Sequence, residues 1–435
     1  MALFGRSKDD QAQAASAEAE PERLPNPPET DDSDARSVED HRDFLLSNVL
    51  SLRPFGMGLL DAYGLTLCET IVADLDLPTF TAATVDGWAV RGSNLVGASS
   101  LRPVVLPVVD SIEPGGFRGA PLTPGTVVRV AAGAPVPEGA DAVVPLEEGL
   151  DLGDERVEFQ TEAAFKQNLV LAGSRVADGD TLARSGATLD ARAIGLLAEV
   201  GLDKVLARPR PRVVVLSLGV DLVAPGLPLT RLTQTYDAGT ALIAAAVRAE
   251  GAQVFPAGIV ADDAKSVRRA LADQLLRADL LIMLAEPSDT LLSVLRAMGT
   301  ADVCEVAMNP GGRQVFALVG EDKTPVLVLP NKVVPAYISY QAFGRPLIRR
   351  LAGLDPLARR AVPRPTTRAL DGDPDRTEFR LAELSHRGVT PLPVADDLGA
   401  AELARAKAIV VVPAGAGAIP AHADVTCWLL DEQTR

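Results

Sequence analysis

Three runs in the second half of the chain, Val213–Leu216, Leu280–Leu284 and Val326–Leu329, are apolar at every position. A strand with one wet face alternates apolar and polar residues. An unbroken run of Val, Leu, Ile and Met is therefore a strand covered on both faces, as in a mainly parallel sheet. Val254–Val260 adds a fourth strand. Helix-length segments lie between and after these runs: Ala238–Ala249, a helix capped by Asp262, Ser288–Met298, and Val333–Leu351. Strands alternating with helices predict an α/β unit. Ligands in such sheets sit at the carboxyl ends of the strands, so a binding site is expected in the loops after Leu216, Leu284 and Leu329.

The other segments read differently. A chain of 435 residues exceeds one core, and domains of ~100–150 residues suggest about three. Residues 1–36 are rich in Ala, Glu, Asp and Pro and read as a disordered acidic tail. Its apolar-basic tip, Met1-Ala2-Leu3-Phe4-Gly5-Arg6, is either a chance terminus or a docking peptide. Residues 37–75 and 170–208 form a helical/β region. Ser37 with Asp40 resembles a helix cap, and Phe44, Leu45, Val49 and Leu52 make a helical stripe that Pro54 ends. A second helix is expected over Gly58–Tyr63, and another after the cap Asp190. Residues 76–169 hold short β-prone runs, Val104–Val109, Val127–Val130, Ala142–Leu146 and Val157–Phe159, separated by Pro and Gly. The α/β unit occupies 209–353. A small β-rich unit at 354–435 closes the chain, with Ala408–Pro413 and Val425–Leu430 as its clearest strands.

Composition narrows the chemistry. Lys and Arg number 42 and Asp and Glu 58, a net charge of −16. That argues against nucleic acid as a partner, because phosphate contacts need clustered cations. Cys68, Cys304 and Cys427 form no CxxC, so three buried thiols in a reducing cytosol are expected. His41, His386 and His422 form no ligand spacing, so zinc and histidine-activated nucleophiles have little to draw on. Carboxylate-held Mg²⁺ is the metal this composition favours. No run of ~18 apolar residues predicts a transmembrane helix, and no signal peptide is legible, so a cytoplasmic location is expected.

Two segments carry a resemblance: Thr84-Val85-Asp86-Gly87-Trp88-Ala89-Val90-Arg91, and Gly133-Ala134-Pro135-Val136-Pro137-Glu138-Gly139-Ala140-Asp141-Ala142-Val143-Val144. Four more follow in order. They are Gly195-Leu196-Leu197-Ala198 with Gly201 and Val205, the strand from Pro211 to Leu222, Met308-Asn309-Pro310-Gly311, and Phe343 to Arg350 with Gly353. Together they resemble the molybdopterin molybdenumtransferase family over nearly all of 37–435. The resemblance implies an α/β multidomain fold. Its parts are a parallel-sheet molybdopterin-binding-type domain, an inserted β domain, a helical/β N-terminal region and a C-terminal β-barrel. It also implies a homodimer with the site between subunits, and Mg²⁺-dependent insertion of molybdate into adenylylated molybdopterin with release of AMP.

By the same resemblance, Asp86 and Asp237 are the catalytic candidates, with Asp221 and Asp237 holding the metal. Gly219, Ser288, Asp289, Pro310, Gly311, Arg313 and Lys332 fall at molybdopterin-binding positions. Two local alternatives stay open: Asp86 as an Asx-turn acceptor and Asp237 as a helix N-cap.

Several site positions depart from the family pattern. Thr-Gly-Asp-Glu-Leu reads Leu218-Gly219-Val220-Asp221-Leu222, and the glycine-rich loop after Leu284 reads Ala285-Glu286-Pro287-Ser288-Asp289. Pro287 removes a donor, while Glu286 and Asp289 place negative charge where a phosphate is expected. Like charges at ~4 Å cost on the order of 1–4 kcal/mol, comparable with the about 1.5–3 kcal/mol of one charge-assisted hydrogen bond. Lysine positions read Glu305 and Gly312, and the Thr of Thr-Gly-Ala-Pro reads Ala132. These changes predict impaired or absent catalysis. The alternative is a non-catalytic, gephyrin-like dimeric scaffold for membrane, cytoskeletal or cell-division partners, docked through the tail or the α/β and C-terminal domains.

Overall fold

The computed structural model describes residues 35–116, 119–393 and 399–430. The acidic tail and its tip lie outside them up to residue 34. The described chain forms two units, one made of residues up to 55, 64–66 and 208 onward, the other of 56–63 and 67–207. Helix α1 (Val38–Ser47) belongs to the first. Ser37 caps it by accepting from the Asp40 amide, as its sequence predicts.

In the second unit, β1 (Gly87–Val90), β2 (Val104–Ile112), β3 (Val127–Val130), β4 (Ala142–Pro145), β5 (Gly149–Gly153) and β6 (Arg156–Phe159) form one sheet in the order β4-β1-β3-β2-β6-β5. Central β1 explains the Asp-Gly motif in structural terms. A Cβ on Gly87 would stand 2.3 Å from the Val144 carbonyl oxygen, so only glycine lets β1 approach β4 this closely. Trp88 and Val90 face one small core with Val127, Val144 and Phe159, and Ala89 faces another with Val128 and Val143. Helix α2 (Ala191–Glu199) starts at Asp190, whose carboxylate accepts from the Arg192 and Ala193 amides. The helix expected over Gly58–Tyr63 is a strand end followed by turns. Gly58 is held in the strand Phe55–Gly58, and Gly64 turns the chain at φ of 77°, so the segment between them is confined to turns.

The first unit is built on β7 (Arg212–Leu218), β8 (Gln253–Val260), β9 (Leu280–Leu284), β10 (Gly299–Glu305), β11 (Arg313–Val319) and β12 (Thr324–Leu329), in the order β8-β7-β9-β12-β11-β10. The first four are parallel, while β11 and β10 add antiparallel. Sequence reading missed these last two strands. Alternation along the apolar strands feeds two separate cores. Val213, Val215, Leu280, Ile282, Leu284, Leu327 and Leu329 face one. Val214, Leu216, Leu281, Met283, Val326 and Val328 face the other. Each such side chain, fully buried, contributes about 1.5–3 kcal/mol.

Helices α3 (Ala238–Ala249), α4 (Ala264–Leu275), α5 (Asp289–Met298), α6 (Val333–Ser339) and α7 (Arg345–Ala352) connect or follow the strands. The predicted helix from Val333 continues through a π-turn over Tyr340–Gly344 between α6 and α7. Asp263, and not Asp262, caps α4, because Asp263 has the extended backbone a cap requires and accepts from the Lys265 and Ser266 amides.

The C-terminal part contains β13 (Ala361–Pro365), β14 (Thr377–Ser385), β15 (Gly388–Pro391), helix α8 (Ala400–Arg405), β16 (Ala408–Val412) and β17 (Asp424–Leu429). The ladder runs β13-β17-β16-β14-β15 and then returns on itself. Thr366, just past β13, bridges Val389, and the Thr367 amide donates to the Val389 carbonyl at 2.8 Å. This is the expected barrel. Gly388 sits at the seam with φ of 121°, and a Cβ there would lie 2.0 Å from the Pro365 carbonyl oxygen.

Candidate functional site

The strand order turns at β7, since β8 lies on one side of it and β9 on the other. The carboxyl end of such a strand is where a doubly wound sheet opens a crevice. A cleft of about 310 Å³ lies there, walled by Ser217 and Leu222 after β7, Thr235 to Gly239 at the start of α3, Asn331 to Val333 after β12, and Gly399. The loops after Leu216 and Leu329 thus line a cleft as expected. The segment after Leu284 does not.

Asp237 is the buried polar centre of this cleft, with 6 % of its surface exposed. It is the N-cap of α3, accepting from the Thr240 amide at 3.0 Å through Oδ1. The same oxygen accepts from Ser217 Oγ at 2.9 Å, and Ser217 Oγ stands 2.7 Å from Thr240 Oγ1. These three side chains tie the end of β7 to the first turn of α3. Burial of such groups is tolerable only when they are bonded, and these are. Neither Ser217 nor Thr240 was singled out from sequence. The one available signal was a lone hydroxyl inside the apolar run of β7.

The other candidates are dispersed. Asp221 is half-exposed and pairs with Arg231 at 3.3 Å and with Thr233 Oγ1 at 3.2 Å. The Gly219 amide donates to the Val260 carbonyl at 3.1 Å. Ser288 caps α5, accepting from the Leu291 amide, and its hydroxyl donates to Asp262. Asp289 opens the same helix and is exposed, as is Glu286. Pro310 follows a cis peptide bond, and Gly311 has φ of 90°. The Gly311 carbonyl accepts from Gln314 Nε2, and exposed Arg313 begins β11 opposite Glu305. Of the first-unit candidates, only Asp237 and Lys332 line the cleft. In the second unit, exposed Asp86 accepts from the Ala132 amide at 2.7 Å, a bond between residues 46 apart in sequence and so a tie between two loops in place of the local Asx turn.

The segment joining β7 to α3, which gives Leu222 and Tyr236 to the cleft, also exposes large apolar side chains. Val220, Leu227, Leu229, Leu232 and Tyr236, all on the segment joining β7 to α3, are exposed, Leu232 completely. The cleft lining itself is mixed: Ser217, Thr235, Asp237 and Asn331 are polar, and Lys332 is the cation among them.

One grouping runs against the sequence reading. His41, Asp302 and Cys304 bring their ligand-type atoms within 4.8 Å of one another. No disulfide joins the cysteines, and Cys427 alone is fully buried, Cys68 and Cys304 being partly so. Among the described residues, no helix is long and apolar enough to cross a membrane.

A profile of the MoeA N-terminal region (domains I and II) matches residues 36–201. Over 368 residues the chain is 35 % identical to molybdopterin molybdenumtransferase 2 of Mycobacterium tuberculosis H37Rv, covering 82 % of this chain and 89 % of that one. It is 32 % identical over 413 residues to molybdopterin molybdenumtransferase 1 of the same strain, covering 88 % and 96 %. The crystal structure of a molybdopterin biosynthesis MoeA protein from Pyrococcus horikosii superposes with a TM-score of 0.81 at 23 % identity, covering 91 % of this chain and 99 % of that one.

Proposed function

Since the chain belongs to the molybdopterin molybdenumtransferase family, which serves molybdenum cofactor biosynthesis, we propose that it is a member in which molybdate insertion is impaired or absent. The observation that carries this reading is the cleft carboxylate. Asp237 is buried and commits Oδ1 to Ser217 and the Thr240 amide, which leaves Oδ2 as its one oxygen for a metal or a proton. Asp221 faces Arg231 within its own loop. Asp221 lies outside the cleft lining, which leaves Asp237 as the one carboxylate there, at the low end of the one or two by which proteins hold Mg²⁺ beside substrate phosphates.

Adenylylated molybdopterin is rich in phosphate, and the cations for it are thin. Lys332 lines the cleft, Arg313 does not, and Glu286 and Asp289 stand exposed at the start of α5. The test is calorimetry with adenylylated molybdopterin, followed by molybdate. Weak or no binding is expected. A Kd at or below about a micromolar, equal to roughly 8 kcal/mol of binding, together with AMP release on adding molybdate, would overturn the proposal.

The exposed apolar residues beside the cleft favour a second reading, a gephyrin-like dimeric scaffold for membrane, cytoskeletal or cell-division partners. Aromatic and aliphatic surface clusters of this kind suit protein contacts better than phosphate contacts. Capture of a partner that survives Asp86→Ala but is lost in Leu232→Asp supports it. Capture that is insensitive to Leu232→Asp removes it.

A further inference from the structure

Far along the sheet from the cleft, the first unit gathers three side chains that the family reading leaves unused. Asp302 and Cys304 stand two apart on β10, so strand alternation puts both on one face. Helix α1 brings His41 to that face, with its Nδ1 3.5 Å from Cys304 Sγ. The imidazole nitrogen, the sulfur and a carboxylate oxygen all lie within 4.8 Å of one another. His41 is fully buried, and its Nε2 has no hydrogen-bond partner. Phe343 packs edge-on to the imidazole with ring centroids 4.8 Å apart, walling the cluster with apolar surface.

We infer that His41, Asp302 and Cys304 form a binding site for a thiophilic divalent metal of the zinc class. Zinc bonds of about 2.0 Å to nitrogen and about 2.3 Å to sulfur, at a tetrahedral angle, set an N···S edge of about 3.5 Å. The spacing of His41 and Cys304 matches that edge. A carboxylate is the third ligand type such sites accept. Arg36 donates to both Asp302 oxygens, at 2.6 and 2.8 Å. Each oxygen keeps a second lone pair, so Arg36 acts as the outer donor that orients a ligating carboxylate.

The charges balance as follows. The metal takes the sulfur lone pair, the S–H bond breaks, and one proton leaves to solvent. Arg36, Asp302, the thiolate and a divalent ion then sum to +1, with Glu305 as the neighbouring acid. A neutral imidazole and a thiolate are the ligating forms, so metal uptake expels the Cys304 proton. Without a metal, Sγ and Nδ1 form an ordinary hydrogen bond inside the core.

Titration of the full chain with Co²⁺ decides between these. The site is expected to give a thiolate-to-cobalt charge-transfer band that saturates at one equivalent, with release of one proton. Cys304→Ser is expected to remove the band, and Asp302→Asn to weaken binding at least tenfold. A Cys68→Ser/Cys427→Ser double variant, which leaves Cys304 as its one thiol, must keep the band. That variant decides the matter even if Cys304→Ser fails to fold. No band in the native protein, a band that survives Cys304→Ser, or loss of the band in the double variant overturns the site.

Discussion

Whether Asp237 is a structural cap or a free catalytic group can be measured through α3. Asp237→Ala removes the acceptor for the Thr240 amide and for Ser217 Oγ, both inside a buried network. Loss of an N-cap costs typically ~1 kcal/mol, within about 0.5–2. The buried hydroxyl of Ser217 keeps Thr240 Oγ1 as a partner, so its added penalty falls near the low end of about 1–3 kcal/mol. The sum is about 2–3 kcal/mol. Asp237→Asn retains a carbonyl oxygen in place of Oδ1 and is expected to cost under about 1 kcal/mol. A multidomain chain does not unfold in one step, so amide hydrogen exchange in the first turn of α3 is the better assay. At about 1.4 kcal/mol per factor of ten, Asp237→Ala should speed that exchange about 30- to 150-fold. The asparagine variant should change it less than about fivefold. Equal protection in wild type and Asp237→Ala would refute the cap and return Asp237 to the pool of free carboxylates.

Other perturbations test other parts. Gly388→Ala forces a methyl into the Pro365 carbonyl at a positive φ, and is expected to destabilise the barrel by more than about 2 kcal/mol, read as faster limited proteolysis after residue 354. Glu250→Gln weakens a nearly buried carboxylate that bonds Arg345 at 2.6 Å and Arg349 at 3.2 Å. It should lower chemical stability by about 2–4 kcal/mol, and high salt should not reproduce the loss. Burial pushes the Cys427 thiol up to about 11 from an ordinary 9, so the unfolded chain releases its proton first. That stabilisation is complete below pH 9 and is lost as pH rises through 11, by about 2–3 kcal/mol. Comparing alkaline unfolding of wild type with Cys427→Ala should show the extra slope in the wild type only.

The α/β unit was legible because its central strands are buried on both faces, which leaves no polar residue to blur Val213–Leu216 or Leu280–Leu284. β10 was not legible. As an edge strand it carries Thr300, Asp302 and Glu305, so no apolar run marks it. The cap of α4 was misplaced by one residue because Asp262 and Asp263 are chemically identical, and backbone geometry alone selects between them. Ser37 and Asp190 were readable as caps, since a cap acts within three residues of itself. The cleft network was not, because Ser217 and Thr240 are 23 residues apart and meet only once β7 and α3 are packed. His41 and Cys304, separated by 263 residues, escaped spacing arguments for the same reason.

The double-faced burial of β7 has one more consequence. A strand with one dry side cannot slip by one residue without drowning its apolar set, but β7 is dry on both sides, so a slip trades one greasy slab for the other. Hydrophobicity alone therefore holds its alignment loosely. What resists the slip is the hydroxyl of Ser217 near its end: one step inward would strand it among aliphatic side chains, at about 1–3 kcal/mol. The cleft's polar network then works as an anchor for strand alignment, independent of any ligand. A substitution elsewhere in the cleft could change its chemistry and leave that anchor in place, because the alignment of β7 rests on Ser217, Asp237 and Thr240 alone.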